Sequence, residues 1–314
     1  MDAEQQTLEV PQRTEADLKG AVVDFLWQLK RQNYSEDTIT TYGYNVQALI
    51  DLGVNLFDPQ SYIDKMATLT KTNVRKYNLR KAYKCFLNLH KIEATLPKYK
   101  FKRPLPYVPP ENFLDQLIAA CNGQMPMFLQ VLKEIGARPG EALRLLWTDL
   151  DVQGKTLTIS HPEKNCNPRA VSISDKLLNL LLEQPRISKL LFNYKSKSYA
   201  GKSFRAMRKR AAFKLGNPEL QKIDFYTFRY WRATEEYDRS HKDFESVMYL
   251  LGHNSLRYVL LYKQLSKNRK NGAVDKYIVR EARTKKEEIA LLEDGFEWVK
   301  DRGKTSLYRK LKMQ

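Results

Sequence analysis

Between Leu96 and Pro110 the chain reads LPKYKFKRPLPYVPP, and this stretch constrains the fold more than any other. Its five prolines fix φ and remove backbone donors, so neither a helix nor a central strand can run through it. Its four lysines and arginines favour an extended, solvated course. We read residues 96–110 as a basic interdomain linker able to lie along phosphates, with a folded domain on either side. A chain of 314 residues is long enough for each domain to bury its own core.

The charge is segregated. Residues 1–70 hold 5 basic and 11 acidic side chains, whereas 71–103 hold 11 basic ones and a single acid, Glu93. Residues 189–214 hold 9 basic and no acidic side chains, and the whole chain carries +18. Both basic blocks interleave aromatics, namely Tyr77, Tyr83 and Phe86 in the first and Tyr194, Tyr199 and Phe204 in the second. That pattern suits two surfaces gripping one polyanion, although charge alone does not separate DNA from RNA or a membrane surface. No run approaches about 18 apolar residues, so no membrane span is expected. The start, MDAEQQTLEVPQRTEAD, is acidic and unlike a secretory signal. Cys85, Cys121 and Cys166 form no CxxC pair, which supports neither a disulfide framework nor a zinc ribbon. These features lead us to expect a cytoplasmic protein without metal or cofactor.

Periodicity fills in the domains. A flexible N-terminus (1–13) precedes a helix capped by Thr14 and Asp17, with Leu18, Val22, Phe25, Leu26 and Leu29 on one face. Ser35 starts a second helix bearing Ile39, Tyr42, Val46, Leu49 and Ile50, and Pro59 a third through Met66. The fourth spans Lys71 to His90. Its Lys76, Arg80 and Lys84 line one face, with Val74, Leu79, Ala82, Phe86 and Leu89 available for packing. Residues 14–95 thus form a small helical domain with one basic helix exposed. Beyond the linker, helices are expected at 111–122, 125–135 and from Pro139 to Leu146. Segments 155–160 and 169–174 form a β-hairpin around the loop His161–Pro168. Residues 175–265 read as helical with breaks at 216–218 and 252–254. A basic tail, 281–314, ends in a hairpin about Asp301-Arg302-Gly303. The fold class is mostly α with a small β element.

Five features then occur in order: Gly136-Ala-Arg138-Pro-Gly-Glu141, Lys164 in the hairpin loop, Tyr226-Thr-Phe-Arg229, Leu251-Gly-His253, and Tyr262 nine residues after that histidine. Each alone is weak. Together, behind a basic helical domain, they resemble the tyrosine recombinase (phage integrase) superfamily, and the resemblance covers roughly residues 14–265. It implies a core-binding (SAM-like) domain at 14–95 and a catalytic domain at 111–280. The five-residue step from Lys164 to Arg169, followed by Val171 and Ile173, also matches the family's hairpin pattern.

The chemistry explains the residue types. Phosphoryl transfer to a tyrosine needs a nucleophile, charge stabilisation on the non-bridging oxygens, and a proton for the departing 5′-oxygen. Guanidiniums fork onto a phosphate bidentately where an ammonium does not. The resemblance assigns the phosphate to Arg138 and Arg229, with Glu141 orienting Arg138. It makes Lys164, on a mobile hairpin tip, the general acid. His253 donates a hydrogen bond to the phosphate, and Tyr262, favoured over Tyr258 by spacing, forms a 3′-phosphotyrosyl bond. The partners it implies are double-stranded DNA attachment sites and further copies of the chain, assembled as a tetramer. The expected DNA contacts are Lys76, Arg80, Lys84, Lys100, Lys102, Arg103, Lys202, Arg205, Arg208 and Lys209.

The main departure is Tyr226, where the family most often has His. A phenol can donate a hydrogen bond to phosphate but is a poor proton shuttle at neutral pH. A Y-x-x-R motif and the Gly-Phe-Glu-Trp-Val tail are similar to those of some archaeal plasmid and provirus integrases, which implies integration or excision of a mobile element. Two other readings share these residues: a type IB topoisomerase, and a catalytically inactive DNA-binding protein on the same scaffold.

Overall fold

The computed structural model describes residues 15–272, 277–303 and 305–311. The N-terminus at 1–13 and the Thr14 cap lie outside them. The chain divides into two compact units, the first ending at Pro104 and the second beginning at Leu105.

The first unit contains α1 (Glu15–Arg31), α2 (Glu36–Asp51), α3 (Pro59–Thr68) and α4 (Asn73–Leu89). Its core is the apolar stripe of each helix: Phe25 and Leu29, Val46 and Leu49, Tyr62, Leu79, Tyr83 and Phe86 are all fully buried. The Phe25 and Phe86 rings meet at 5.6 Å, and Tyr62 stacks on Tyr83 at 4.5 Å. Asp58 caps α3 through the amides of Gln60 and Ser61, with Pro59 at the first helical position. Thr72 caps α4, which therefore starts two residues later than expected.

The basic face of α4 differs from the sequence reading. Lys76 is half-buried and donates to the carbonyl of Met66 at 2.8 Å, completing the end of α3. Arg80 is half-buried with its Nε out of water, and Val74 faces solvent instead of the core. Lys81 and Lys84 are exposed. No helix or strand follows α4 until Glu111, but the proline-rich stretch is not free of the first unit. Leu96 is buried in that unit's core and Tyr99 packs on it. Phe101 meets Tyr77 edge-on at 5.2 Å, and Asn73 donates to the Lys100 carbonyl at 2.9 Å.

The second unit is built around α6 (Met125–Ile135), whose sequence MPMFLQVLKEI is apolar on nearly every side and is buried accordingly. Around it lie α5 (Glu111–Ala120), α7 (Pro139–Leu143), α8 (Asp175–Leu182), α9 (Lys197–Lys214), α10 (Phe225–Arg239), α11 (Phe244–Leu251) and α12 (Leu260–Gly272). The one lysine of α6, Lys133, is buried and paired with Glu111 at 2.9 Å and Asp115 at 2.5 Å. An antiparallel sheet of β1 (Leu150–Asp151), β2 (Thr156–Ile159) and β3 (Arg169–Ser172) turns Leu157, Ile159 and Val171 toward the core. The hairpin registers Leu157 opposite Val171.

Three features depart from expectation. Helix α7 stops at Leu143, short of Leu146. Residues 183–196 are not helical: with Pro185 unable to continue a helix, the chain runs back beside Trp147 and Leu145. There Trp147 N donates to Lys189 O at 3.1 Å and Leu191 N to Leu145 O at 2.8 Å. A further break at His241 and Lys242, both at positive φ, precedes the Asp243 cap of α11.

At the end of the unit, β4 (Tyr277–Ala282), α13 (Lys285–Glu293), β5 (Glu297–Arg302) and β6 (Thr305–Leu311) form a second sheet in the order β4-β6-β5. The hairpin about Asp301-Arg302-Gly303 is present, and β4 and α13 complete it around Ala282, Phe296 and Tyr308. No helix among the described residues is long and apolar enough to cross a membrane.

Candidate active site

Four helix ends converge on one carboxylate. Helix α6 ends at Gly136, in the left-handed region at φ 61°, and the chain turns directly into α7. Arg138 caps α7, and Glu141 at its third position reaches back to accept from the Arg138 amide at 2.9 Å. The same carboxylate accepts from Arg138 Nη1 at 2.7 Å. Arg229, one turn into α10, donates to the Gly136 carbonyl at 2.6 Å and to the Leu251 carbonyl at 3.1 Å, thereby joining the C-terminal ends of α6 and α11.

His253 is delivered by a Schellman turn: its amide donates to Met248 O at 3.0 Å and that of Gly252 to Tyr249 O at 3.1 Å. Gly252 stands at φ +67°, and a Cβ there would lie 2.6 Å from the Asn167 carbonyl, so only glycine fits. The His253 Nε2 lies 3.1 Å from Arg229 Nη2 and accepts from it, which places the ring proton on Nδ1. Tyr262, on the first turn of α12, is buried at 3 % exposure and lies close enough to Arg229 and Arg138 to feel both charges. Tyr258 is 64 % exposed and meets the His253 ring at 5.7 Å, outside the arginine cluster.

The electrostatics follow from burial. Burial alone would raise the Glu141 carboxyl, but the Arg169 charge and the amides of Arg138 and Glu163 outweigh it and hold it at about 2. Burial and the charge of Arg138 draw Arg229 down to about 10, still protonated at neutral pH. Burial together with Arg229 and Arg138 pushes His253 down to about 4, so its imidazole is neutral. Tyr262 is pushed up to about 12 by burial, against the pull of Arg229.

Sequence reasoning found Arg138, Glu141, Arg229, His253 and Tyr262, and the structure brings these five together. Lys164 is not among them. It stands exposed at the loop tip, at φ 58°, with no hydrogen bond or ion pair among the described residues. The loop that carries it is fastened on both sides of the tip. Glu163 N donates to Glu141 Oε1 at 3.0 Å and Arg138 Nη1 to Glu163 O at 3.3 Å. Opposite, Asn167 N donates to Gly252 O at 2.9 Å. Tyr226, half-buried at the start of α10, makes no hydrogen bond among the described residues.

Of the expected DNA contacts, Lys84, Lys100, Lys102, Arg103, Lys202, Arg205 and Lys209 are exposed. Lys76 and Arg80 are taken up in the first unit as described. Arg208 is half-buried, bonded to the Ile223 carbonyl and lying over the Phe204 ring at 5.8 Å. Two residues at the site were not among those expected: Arg169, visible only as part of the hairpin pattern, and Cys166, whose Sγ accepts from Arg138 Nη2 at 3.2 Å. A lone cysteine in a loop gives no sequence cue to such a contact.

The phage integrase family pattern matches residues 110–269, half of the chain, and the protein belongs to that family. Solved structures share its fold. The Tn1549 transposon integrase in complex with transposon right end DNA aligns with a TM-score of 0.56 at 14 % identity, covering 81 % of this chain and 99 % of that one. The XerH site-specific recombinase bound to a palindromic difH substrate aligns with a TM-score of 0.55 at 18 % identity, covering 83 % and 89 %. A lambda integrase from a tetramer bound to a Holliday junction gives 0.56 at 14 % identity, covering 76 % and 77 %. No curated protein matches the chain.

Proposed function

We propose that the protein is a site-specific DNA recombinase that cuts and rejoins duplex DNA through Tyr262, integrating or excising a mobile element. The observation that carries this reading is the convergence of Arg138, Arg229, His253 and Tyr262 around the buried Glu141. Three arginines and one carboxylate leave that cluster with a net charge of +2, which matches the two negative charges of a pentacoordinate phosphorus attacked by a phenolate.

In the reaction a bond forms between Tyr262 Oη and phosphorus while the bond from phosphorus to the 5′-oxygen breaks. The phenol proton is lost to water as Tyr262 attacks, neutral His253 donates its ring N–H to a non-bridging oxygen, and Lys164 protonates the departing 5′-oxygen. The free energy of the ester is kept in the 3′-phosphotyrosyl bond, so attack by a 5′-hydroxyl reverses the step. Exposed basic residues on both units, Lys84, Lys100, Lys102 and Arg103 on the first and Lys202, Arg205 and Lys209 on the second, contact the phosphate backbone. The fold shared with a lambda integrase tetramer supports a tetramer on two DNA sites as the working assembly.

Covalent trapping on a nicked duplex carrying an attachment site tests the reading. A protein–DNA adduct on a denaturing gel, lost in Tyr262→Phe and kept in Tyr258→Phe, is the expected result. Binding without any adduct would instead indicate an inactive DNA-binding protein on this scaffold.

A further inference from the structure

Arg169 begins strand β3 opposite Ile159 and on the same buried face as Val171, and it is buried at 4 % exposure although charged. Its guanidinium spans two elements. Nη2 donates to Glu141 Oε2 at 2.8 Å, and Nε donates to the Leu250 carbonyl at 2.8 Å, at the end of the helix that delivers His253. Packing holds it there: a Cβ on Gly252 would stand 3.0 Å from its Nη1 and 3.3 Å from its Cδ.

The occupancy of Glu141 is the telling feature. Oε1 accepts from Arg138 Nη1 and from the Glu163 amide, while Oε2 accepts from the Arg138 amide and from Arg169. Arg229 Nη1 lies 3.8 Å from Oε2, beyond hydrogen-bond distance though within ion-pair range. A shift of less than about 1 Å would turn that approach into a direct bond, and a guanidinium clamped on a carboxylate is a weaker partner for phosphate. With Arg169 in place the four bonds leave Oε2 no free direction for Arg229.

We propose that Arg169 is a positioning residue that occupies Glu141 Oε2 and so keeps Arg229 available to the scissile phosphate, while fixing the end of α11 that carries His253. The proposal rests on the recombinase reading above. A purely structural role would be served by any arrangement that satisfies the buried Glu141. The positioning role makes a sharper demand: the harm done by losing Arg169 comes from the charge of Glu141, and removing that charge should relieve it.

The test measures single-turnover adduct formation on the nicked duplex with full-length wild type, Arg169→Lys, Arg169→Met, Glu141→Gln and the double variant Arg169→Met/Glu141→Gln. Duplex affinity and thermal unfolding are followed in parallel. Arg169→Met should slow adduct formation about 100-fold with duplex affinity unchanged. Arg169→Lys should fall between, since an ammonium keeps the charge but cannot span both acceptors. The double variant should react faster than Arg169→Met alone. An Arg169→Met enzyme as fast as wild type, or a double variant slower than Arg169→Met, overturns the proposal. If Arg169→Met does not fold, Arg169→Lys with and without Glu141→Gln makes the same comparison. A wild type that binds the duplex and forms no adduct removes the recombinase reading and this proposal with it, a result distinct from a variant that reacts normally.

Discussion

The Asn254 side-chain amide donates to the Asn165 carbonyl at 2.8 Å, tying the residue after His253 to the residue after Lys164. The residue expected to bond the phosphate and the one expected to protonate the leaving group are thus joined through their chain neighbours. The bond lies at the surface, where water competes, and it joins Asn165 at φ 55°, a left-handed backbone that asparagine tolerates.

Asn254→Ala should therefore slow cleavage by about tenfold, the low end of what loss of a supporting contact costs a catalytic group, without weakening duplex binding. The diagnostic measurement uses a substrate with sulfur in place of the bridging 5′-oxygen. A thiolate departs without a proton, so this substrate should restore both Asn254→Ala and Lys164→Ala and leave Tyr262→Phe inactive.

Gly252→Ala should destabilise the second unit. An alanine at φ +67° costs about 1–2 kcal/mol in the left-handed region, before the clash with the Asn167 carbonyl is counted. Calorimetry should show a fall in Tm of roughly 2–8 °C, and because Asn167 belongs to the Lys164 loop, cleavage should slow as well.

The acid side of the stability curve should carry the signature of His253. In the unfolded chain it protonates near pH 6.5, and in the fold only near pH 4. Protons therefore favour the unfolded state between those values, and stability is whole above pH 6.5 and declines toward pH 4. The loss is on the order of 1–2 kcal/mol once solvent screening of this half-buried ring is allowed for. Glu141, held at about 2 against an ordinary 4.5, keeps its contribution above about pH 4.5 and loses it as pH falls from there toward 2. Thermal melts at pH 7 and pH 4.5 should differ less for His253→Asn than for wild type.

On α9 two kinds of basic residue should separate by salt titration. Replacing exposed Lys202, Arg205 and Lys209 by Ala should reduce the slope of log affinity against log salt by about 0.9 for each phosphate contact removed. Arg208→Ala should leave the slope unchanged and lower stability by about 1–2 kcal/mol through loss of its bond to Ile223 O and its cover over Phe204.

The parts of the site that sequence reveals are those whose spacing is set by a single turn or helix. Arg138 and Glu141 are three apart on one cap, and Leu251-Gly252-His253 is a helix ending that only glycine allows. The helices of the first unit were legible for the same reason, since each carries its own apolar stripe. Fastening between distant segments was not legible. Nothing local announces that Lys76 completes the end of α3, that Arg208 reaches Ile223, or that the Lys164 loop is pinned at both sides. The non-helical run at 183–196 escaped because its backbone partners, Leu145 and Trp147, lie some forty residues earlier in the chain.

The sheet at the end of the second unit has a consequence for biosynthesis. Strand β6 comes last in chain order but lies between β4 and β5 in space. A ribosome delivering the chain from its N-terminus must therefore release both outer strands before the one that pairs with each of them. Until Thr305–Leu311 emerges, β4 and β5 have open edges and no mutual partner, and a nascent chain halted before that point exposes two unpaired strands.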